Sequence, residues 1–231
     1  MSLDQEALSK RLFSAARDGS AAEVKSLLAH GASPRYYTQG GRTALIAAAV
    51  EGQSEACEAL LACSDTTWVD VFGRSALMLA ASNGHLECVK MLVNRSRIND
   101  VDCDGWSALM YASIHGHVDC AAHLARMGAL NIPDNAGETP LMNAVRARNV
   151  EMALALIPIA RFDVVNDGED AGEKIAGGSP RSSKQRLIDC EVVARAAGDV
   201  DVAEAIAARI EQITLARSIP AKEYSVKGAR L

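Results

Sequence analysis

Between Gly41 and Leu141 the chain repeats one apolar and polar pattern four times, at intervals of 32 residues. The copies read Gly41-Arg42-Thr43-Ala44-Leu45, Gly73-Arg74-Ser75-Ala76-Leu77, Gly105-Trp106-Ser107-Ala108-Leu109 and Gly137-Glu138-Thr139-Pro140-Leu141. The apolar positions that follow fall at helical spacing, with Ala48, Ala81, Ala112 and Ala144 joining the four leucines on an inward face. Each copy therefore predicts a short first helix. Thr43, Ser75, Ser107 and Thr139 can cap it through a hydroxyl. Ala44, Ala76, Ala108 and Pro140 suit its first turn, where no backbone N–H is needed. Gly52, Gly84 and Gly116 stand where it must stop in a left-handed conformation. The segment Gly73–Leu92 shows the whole unit, since a second helix follows through Leu86, Val89, Leu92 and Val93. Asp70, Asp102 and Asp134 lie three residues before their glycines and mark a hairpin turn between units. In the fourth copy Arg148-Asn149 replaces the stop glycine, so that turn is expected to be strained or displaced by one residue.

The rhythm extends in both directions. Residues 1–7 read as a polar lead, after which Arg11 to Gly19 matches a first helix and Ala22 to Leu28 a second, ended by His30-Gly31-Ala32-Ser33. Lys10, Arg11, Arg17 and Asp18 would keep the outer side of this terminal unit wet, as a capping repeat requires. Beyond Ile157-Pro158 the pattern fails, and Asp163 to Lys184 is rich in glycine, serine and charge, which reads as a surface insertion. The pattern returns at Gly198 to Ile206, with Glu191 and Arg195 at positions that are apolar or small in earlier units. A basic tail follows Pro220, with Lys222, Lys227 and Arg230 against Glu223.

A fixed period near 33, carrying a hydroxyl residue, then Ala or Pro, then Leu, resembles the ankyrin repeat. The resemblance covers residues 8–165 strongly and 187–218 weakly. Its wording, S-A-L-M followed by G-H-x-E-C-V, is similar to protist-type ankyrin-repeat proteins, some of them fused behind kinase-like domains; no kinase motif is found here. Two departures stand out. The period is 32, and the usual Gly-Ala after the second helix survives only at Gly31-Ala32 and Gly128-Ala129, giving way to Ser64-Asp65-Thr66-Thr67 and Arg95-Ser96-Arg97 elsewhere. The implied fold is an all-α repeat solenoid of helix-turn-helix units joined by short β-hairpin fingers. It would form a single domain over 1–218, with units 8–40 (N-terminal cap), 41–72, 73–104, 105–136, 137–165 and 187–218 (C-terminal cap), interrupted by the flexible insertion 166–184 and followed by the tail 219–231. Helices spaced about 8–10 Å apart would give a rod of roughly 50–60 Å.

Composition narrows the function classes. The chain is 49% hydrophobic but only 4% aromatic, which suits short helices packed through alanine. A net charge of -5 argues against nucleic acid as a partner. No apolar run reaches the length of a membrane span, and the acidic start is unlike a secretory signal. The six cysteines contain no Cys-x-x-Cys pair and are expected to be reduced thiols in the cytoplasm.

Candidate chemistry is sparse. Asp167, Glu169, Asp170 and Glu173 have no calcium-loop spacing and read as solvated loop. His85 and His117 belong to the Gly-His turn, where a bond to neighbouring backbone is expected. His115 with Cys103 or Cys120 would make a thiol–imidazole pair, but no orienting group or oxyanion device accompanies it. Cys88 and Cys120 share one second-helix position and read as small core residues. Ser182-Ser183 after Arg181 is a possible phosphosite motif of low specificity. No catalytic residue, metal ligand, cofactor or small-molecule substrate is expected.

The resemblance implies a non-catalytic scaffold or adaptor that binds a protein partner through its concave face and hairpin tips. Carried over by position, the candidate contacts are Tyr37, Gln39, Val71, Phe72, Arg74, Asp104, Trp106, Asn135 and Glu138 on the tips, with Val50, Glu51, Ser82, Asn83, Ile114, His115 and Arg146 on the first helices. Phe72 and Trp106 carry most weight, Trp being enriched at interface hot spots. A competing placement folds Trp106 onto the adjacent hairpin, against Trp68 or Tyr111. The alternative function is a structural component of a cytoskeletal, microtubule-associated or other large assembly, with the C-terminal tail docked on a neighbouring chain.

Overall fold

The computed structural model describes residues 3–159 and 183–218. Most of the insertion expected at 166–184, and all of the tail 219–231, lie outside the described residues.

Twelve helices run in alternation among the described residues. The first of each pair are α1 (Leu3–Arg17), α3 (Ala44–Val50), α5 (Ala76–Ser82), α7 (Ala108–Ile114), α9 (Pro140–Arg146) and α11 (Ser183–Ala197). The second are α2 (Ala21–Ala29), α4 (Ser54–Leu61), α6 (Leu86–Leu92), α8 (Val118–Arg126), α10 (Val150–Leu156) and α12 (Val200–Ser218). First helices pack on first helices and second on second, always between consecutive pairs, which makes the molecule a solenoid. The two kinds of helix differ in burial. Residues 44–49, 76–81 and 108–113 are buried on every side of α3, α5 and α7. The second helices bury one stripe each, such as Ala56-Cys57-Leu60, Cys88-Val89-Leu92 and Cys120-Ala121-Leu124. The three thiols here are core side chains.

The expected caps are present. Thr43, Ser75, Ser107 and Thr139 each accept from the N–H three residues on, at 3.2–3.4 Å. In the second copy the Met78 sulfur also accepts from the Ser75 N–H at 3.4 Å, closing a reciprocal cap with sulfur in the place of a carboxylate. One expectation is corrected: residues 3–7 are helical, not a polar lead. Asp4 and Glu6 favour a helix start by opposing the helix dipole, and Glu6 pairs with Lys10 at 2.8 Å. Ser9, buried in the same helix, donates to the Gln5 carbonyl and accepts from Ser33 N–H, tying α1 to the loop after α2.

The turn between paired helices locks adjacent units. His85 donates from Nε2 to the Val50 carbonyl at 2.9 Å, and His117 repeats the bond to Ser82 at 3.0 Å. Each imidazole lies over the glycine of the preceding turn, where a Cβ on Gly84 would fall 2.5 Å from His117 Nδ1. At Arg148 the turn keeps its place and the strain is borne by the residue, with φ 56, the one non-glycine among the described residues at positive φ. Its side chain reverses the lock, donating forward to the Ala197 carbonyl at 2.7 Å and approaching Asp199 at 3.6 Å.

Two stability tests follow from these turns. Gly84→Ala combines a left-handed alanine with a collision, and is expected to cost roughly 2–4 kcal/mol. Gly128→Ala, also at positive φ but with nothing within 4 Å, should cost only about 1 kcal/mol in urea denaturation; equal losses would show that His117 swings away freely. Arg148→Gly and Arg148→Ala both lose the forward bonds, but only the alanine keeps the strained backbone. The alanine variant should be less stable by about 1 kcal/mol, with its first protease cuts within α11 and α12.

Candidate interaction surface

The loops between units are one-bridge hairpins, paired at Tyr37 with Thr43, Val69 with Ser75 and Val101 with Ser107. A buried aspartate builds each of the next three fingers from inside. Asp70 Oδ1 accepts from the N–H groups of Phe72 and Arg74, both at 3.0 Å. Asp102 does the same for Asp104 and Trp106, and Asp134 for Ala136 and Glu138, all at 2.9 Å. The second carboxylate oxygen then takes a different partner in each finger. Asp70 Oδ2 receives Arg74 Nε and Nη2 at 2.9 and 2.7 Å, Asp102 Oδ2 the Tyr111 hydroxyl at 2.6 Å, and Asp134 Oδ2 the Trp106 indole N–H at 3.2 Å.

The fingertips are also bonded to one another. Val71 N–H donates to Gly40 O at 3.2 Å, Cys103 N–H to Phe72 O at 3.1 Å, and Asn135 N–H to Asp104 O at 3.1 Å. Side chains reinforce the row through Trp68 Nε1 to Gly41 O and Asn135 Nδ2 to Cys103 O. The tips thus form a continuous, pinned edge.

Of the candidate contact residues, Tyr37, Gln39, Glu51, Val71, Phe72, Asn83, Asp104, Ile114, His115, Asn135 and Arg146 are exposed, while Val50, Arg74, Ser82, Trp106 and Glu138 are half-buried. Val71 and Phe72 are each 59% exposed and Tyr37 57%, high values for large apolar side chains. Several candidates are tied to one another. The Arg74 guanidinium lies 4.7 Å from the Phe72 ring centre, and Arg146 donates to both Glu138 oxygens at 2.9 Å. Trp106 takes the placement against Tyr111, edge to face at 5.3 Å, with Tyr111 stacked in turn on His115 at 6.2 Å. Asn83 is engaged as well, donating to the Val50 carbonyl at 2.8 Å. A shallow depression lined by Ile114, Asn143, Arg146 and Ala147 opens beside the α7 and α9 ends.

Tyr111 joins Trp106, Asp102 and His115, a central role that the contact list from sequence omitted. The signal was its column, where Ala47, Leu79 and Asn143 occupy the equivalent positions and only Tyr111 is aromatic. Burial and the Asp102 carboxylate push its hydroxyl up, so it stays a donor. Burial pushes the Cys120 thiol up to about 11 and the Cys190 thiol up to about 12, so neither has a nucleophilic setting. His115 Nδ1 donates to the Tyr111 carbonyl at 2.9 Å. Among the described residues no group of three or more His, Cys, Asp or Glu side chains could hold a metal, and no helix is long and apolar enough to cross a membrane.

Buried capped helices, Gly-His turns and aspartate-built fingers together describe one kind of repeat, and the model for ankyrin repeats matches three times, over residues 9–68, 62–129 and 77–170. The chain belongs to the ankyrin-repeat family. No curated protein matches it. Ankyrin repeats are protein–protein interaction modules, and the family is generally non-enzymatic.

The Asp70 carboxyl gives this ankyrin surface a defined acid response. Burial pushes it up, but the Arg74 side chain and the Arg74 and Phe72 N–H groups outweigh that and hold it below the ordinary 3.8. A folded value below the unfolded one contributes stability that is complete above about pH 4 and is lost as the pH falls through the folded value. Urea midpoints measured from about pH 5 down to about pH 2 should therefore fall less steeply for Asp70→Asn than for the parent.

Proposed function

We propose that this ankyrin-repeat protein is a non-catalytic adaptor or scaffold that holds a protein partner along its fingertips and the adjoining ends of its first helices. The observation that carries this reading is the exposure of Tyr37, Val71 and Phe72 on fingers that cannot retreat. An apolar side chain on a mobile loop would fold back onto the body. These sit on tips bonded to their neighbours by backbone, with Tyr37 packed 5.5 Å from Trp68. Pre-fixed apolar groups cost little entropy to bind, which is the property of an anchor.

Phe72 is the better anchor of the two aromatics weighed from sequence. Trp106 is half-buried with its N–H satisfied, so it supports the third finger, whereas the Phe72 ring is offered to solvent and backed by Arg74. A specific contact on this scale would cover about 800 Å² of each partner. The free thiols of all six cysteines fit a reducing compartment, and a cytoplasmic location is part of the proposal.

The test uses a photo-crosslinking amino acid in cells, placed at position 72 or at Leu154, which is exposed on the outer helix α10. Adducts are expected from position 72 and not from 154. In a complex recovered this way, Phe72→Ala with Tyr37→Ala should weaken binding by at least about tenfold. Equal adducts from both positions, or an unchanged affinity, would remove the fingertip surface as the site.

A further inference from the structure

One position recurs after every finger glycine, and it is occupied by Arg42, Arg74, Trp106 and Glu138. Three of these side chains are satisfied inside the protein. Arg74 is held by Asp70, Trp106 by Asp134, and Glu138 by Arg146. Arg42 is the exception: among the described residues its guanidinium makes no ion pair, hydrogen bond or ring contact.

The cause is visible one turn earlier in the finger. Thr38 stands where Asp70, Asp102 and Asp134 stand in the following fingers. It closes the hairpin through its backbone, donating to the Arg42 carbonyl at 3.0 Å and accepting from Gly41 N–H at 2.9 Å. The first finger is therefore built without its internal carboxylate, and Arg42 is left without the counter-ion that its equivalent in the second finger has. Lys25, Arg97 and Arg126 also lack an ion pair, but they are exposed, whereas Arg42 is half-buried and so held against its finger. An unpaired guanidinium held in place on a pinned finger is open to an incoming anion. Glu51, exposed at the end of α3, makes no ion pair and does not fill that role.

The surroundings say what kind of anion. The same finger also carries the exposed Tyr37 ring, and the neighbouring tip presents Val71 and Phe72. Arg74, the next arginine along the row, is already neutralised by Asp70. One free guanidinium among apolar groups suits a single carboxylate, since a doubly charged phosphate would call for further cations.

We infer that Arg42 is the seat for an acidic side chain of the partner: an Asp or Glu in an extended segment, accepting paired N–H bonds from the guanidinium, with an apolar neighbour against Tyr37, Val71 and Phe72. This rests on the fingertip surface proposed above and names the chemistry it selects.

A random twelve-residue peptide library displayed on phage, panned against the full chain, tests it. The recovered sequences should centre on Asp or Glu beside a large apolar residue. A synthetic copy should bind at least about tenfold tighter than its Asn or Gln twin. Arg42→Gln should abolish that preference. So should Thr38→Asp, which restores the internal counter-ion of the later fingers without touching Arg42, provided its thermal melt matches the parent. Binding that weakens with Phe72→Ala but ignores Arg42→Gln, Thr38→Asp and the peptide's acid overturns the Arg42 seat and leaves the fingertip surface standing. Binding that ignores Phe72→Ala and Tyr37→Ala as well overturns both.

Discussion

Helices of seven residues do not persist in water, and this protein builds the centre of its core from them. Everything else in the structure answers that weakness. Because α3, α5 and α7 have no polar face, each must be enclosed by the unit before it, the unit after it and its own second helix. A hydroxyl cap at one end and a glycine turn at the other supply hydrogen bonds that so short a helix cannot provide for itself. The histidine on the turn then fixes how far consecutive units slide, since its bond runs to a carbonyl one repeat away. Stability is consequently a property of neighbours.

The fingers follow a parallel logic with charge in place of apolar surface. A buried carboxylate is costly unless its oxygens are filled. Asp70, Asp102 and Asp134 fill one oxygen with two N–H groups of their own loop and leave the other for a variable partner. The constant half of the arrangement shapes the hairpin. The variable half decides whether an arginine, a tyrosine or a tryptophan is held, and so sets what remains exposed. Rigid tips and a changeable exposed surface are thereby produced by the same residue.

Much of this was legible in the sequence because the relevant interactions are local or periodic. Hydroxyl caps act over three residues, the aspartate turn over four, and the Gly-His pair recurs at a fixed interval, so each could be read from one unit and checked in the next. The reading of Arg148 was open between strain and displacement, and positive φ settled it as strain. What sequence left undecided depends on pairs between units. Trp106 reaches Asp134, which is 28 residues on, and no local pattern distinguishes that from a ring free in solvent. The start of α1 was missed for the opposite reason: its polar surface hid a helix whose buried apolar residues, Leu12, Ala15 and Ala16, come only in its third and fourth turns, after the buried but polar Ser9.

The change of turn at Arg148 also divides the array into interchangeable and non-interchangeable parts. The unit whose turn carries Gly84 offers matching edges, the Ser82 carbonyl toward the next unit and the His85 imidazole toward the one before. A duplicate of it would find its own partners on both sides, and the central array is extensible in that sense. At Arg148 the donor faces the other way and meets Ala197 and Asp199, residues that belong to the last helix pair alone. A further copy inserted there would find neither its glycine nor its acceptor. The protein thus carries at Arg148 a junction specific to one neighbour, at which growth by duplication stops.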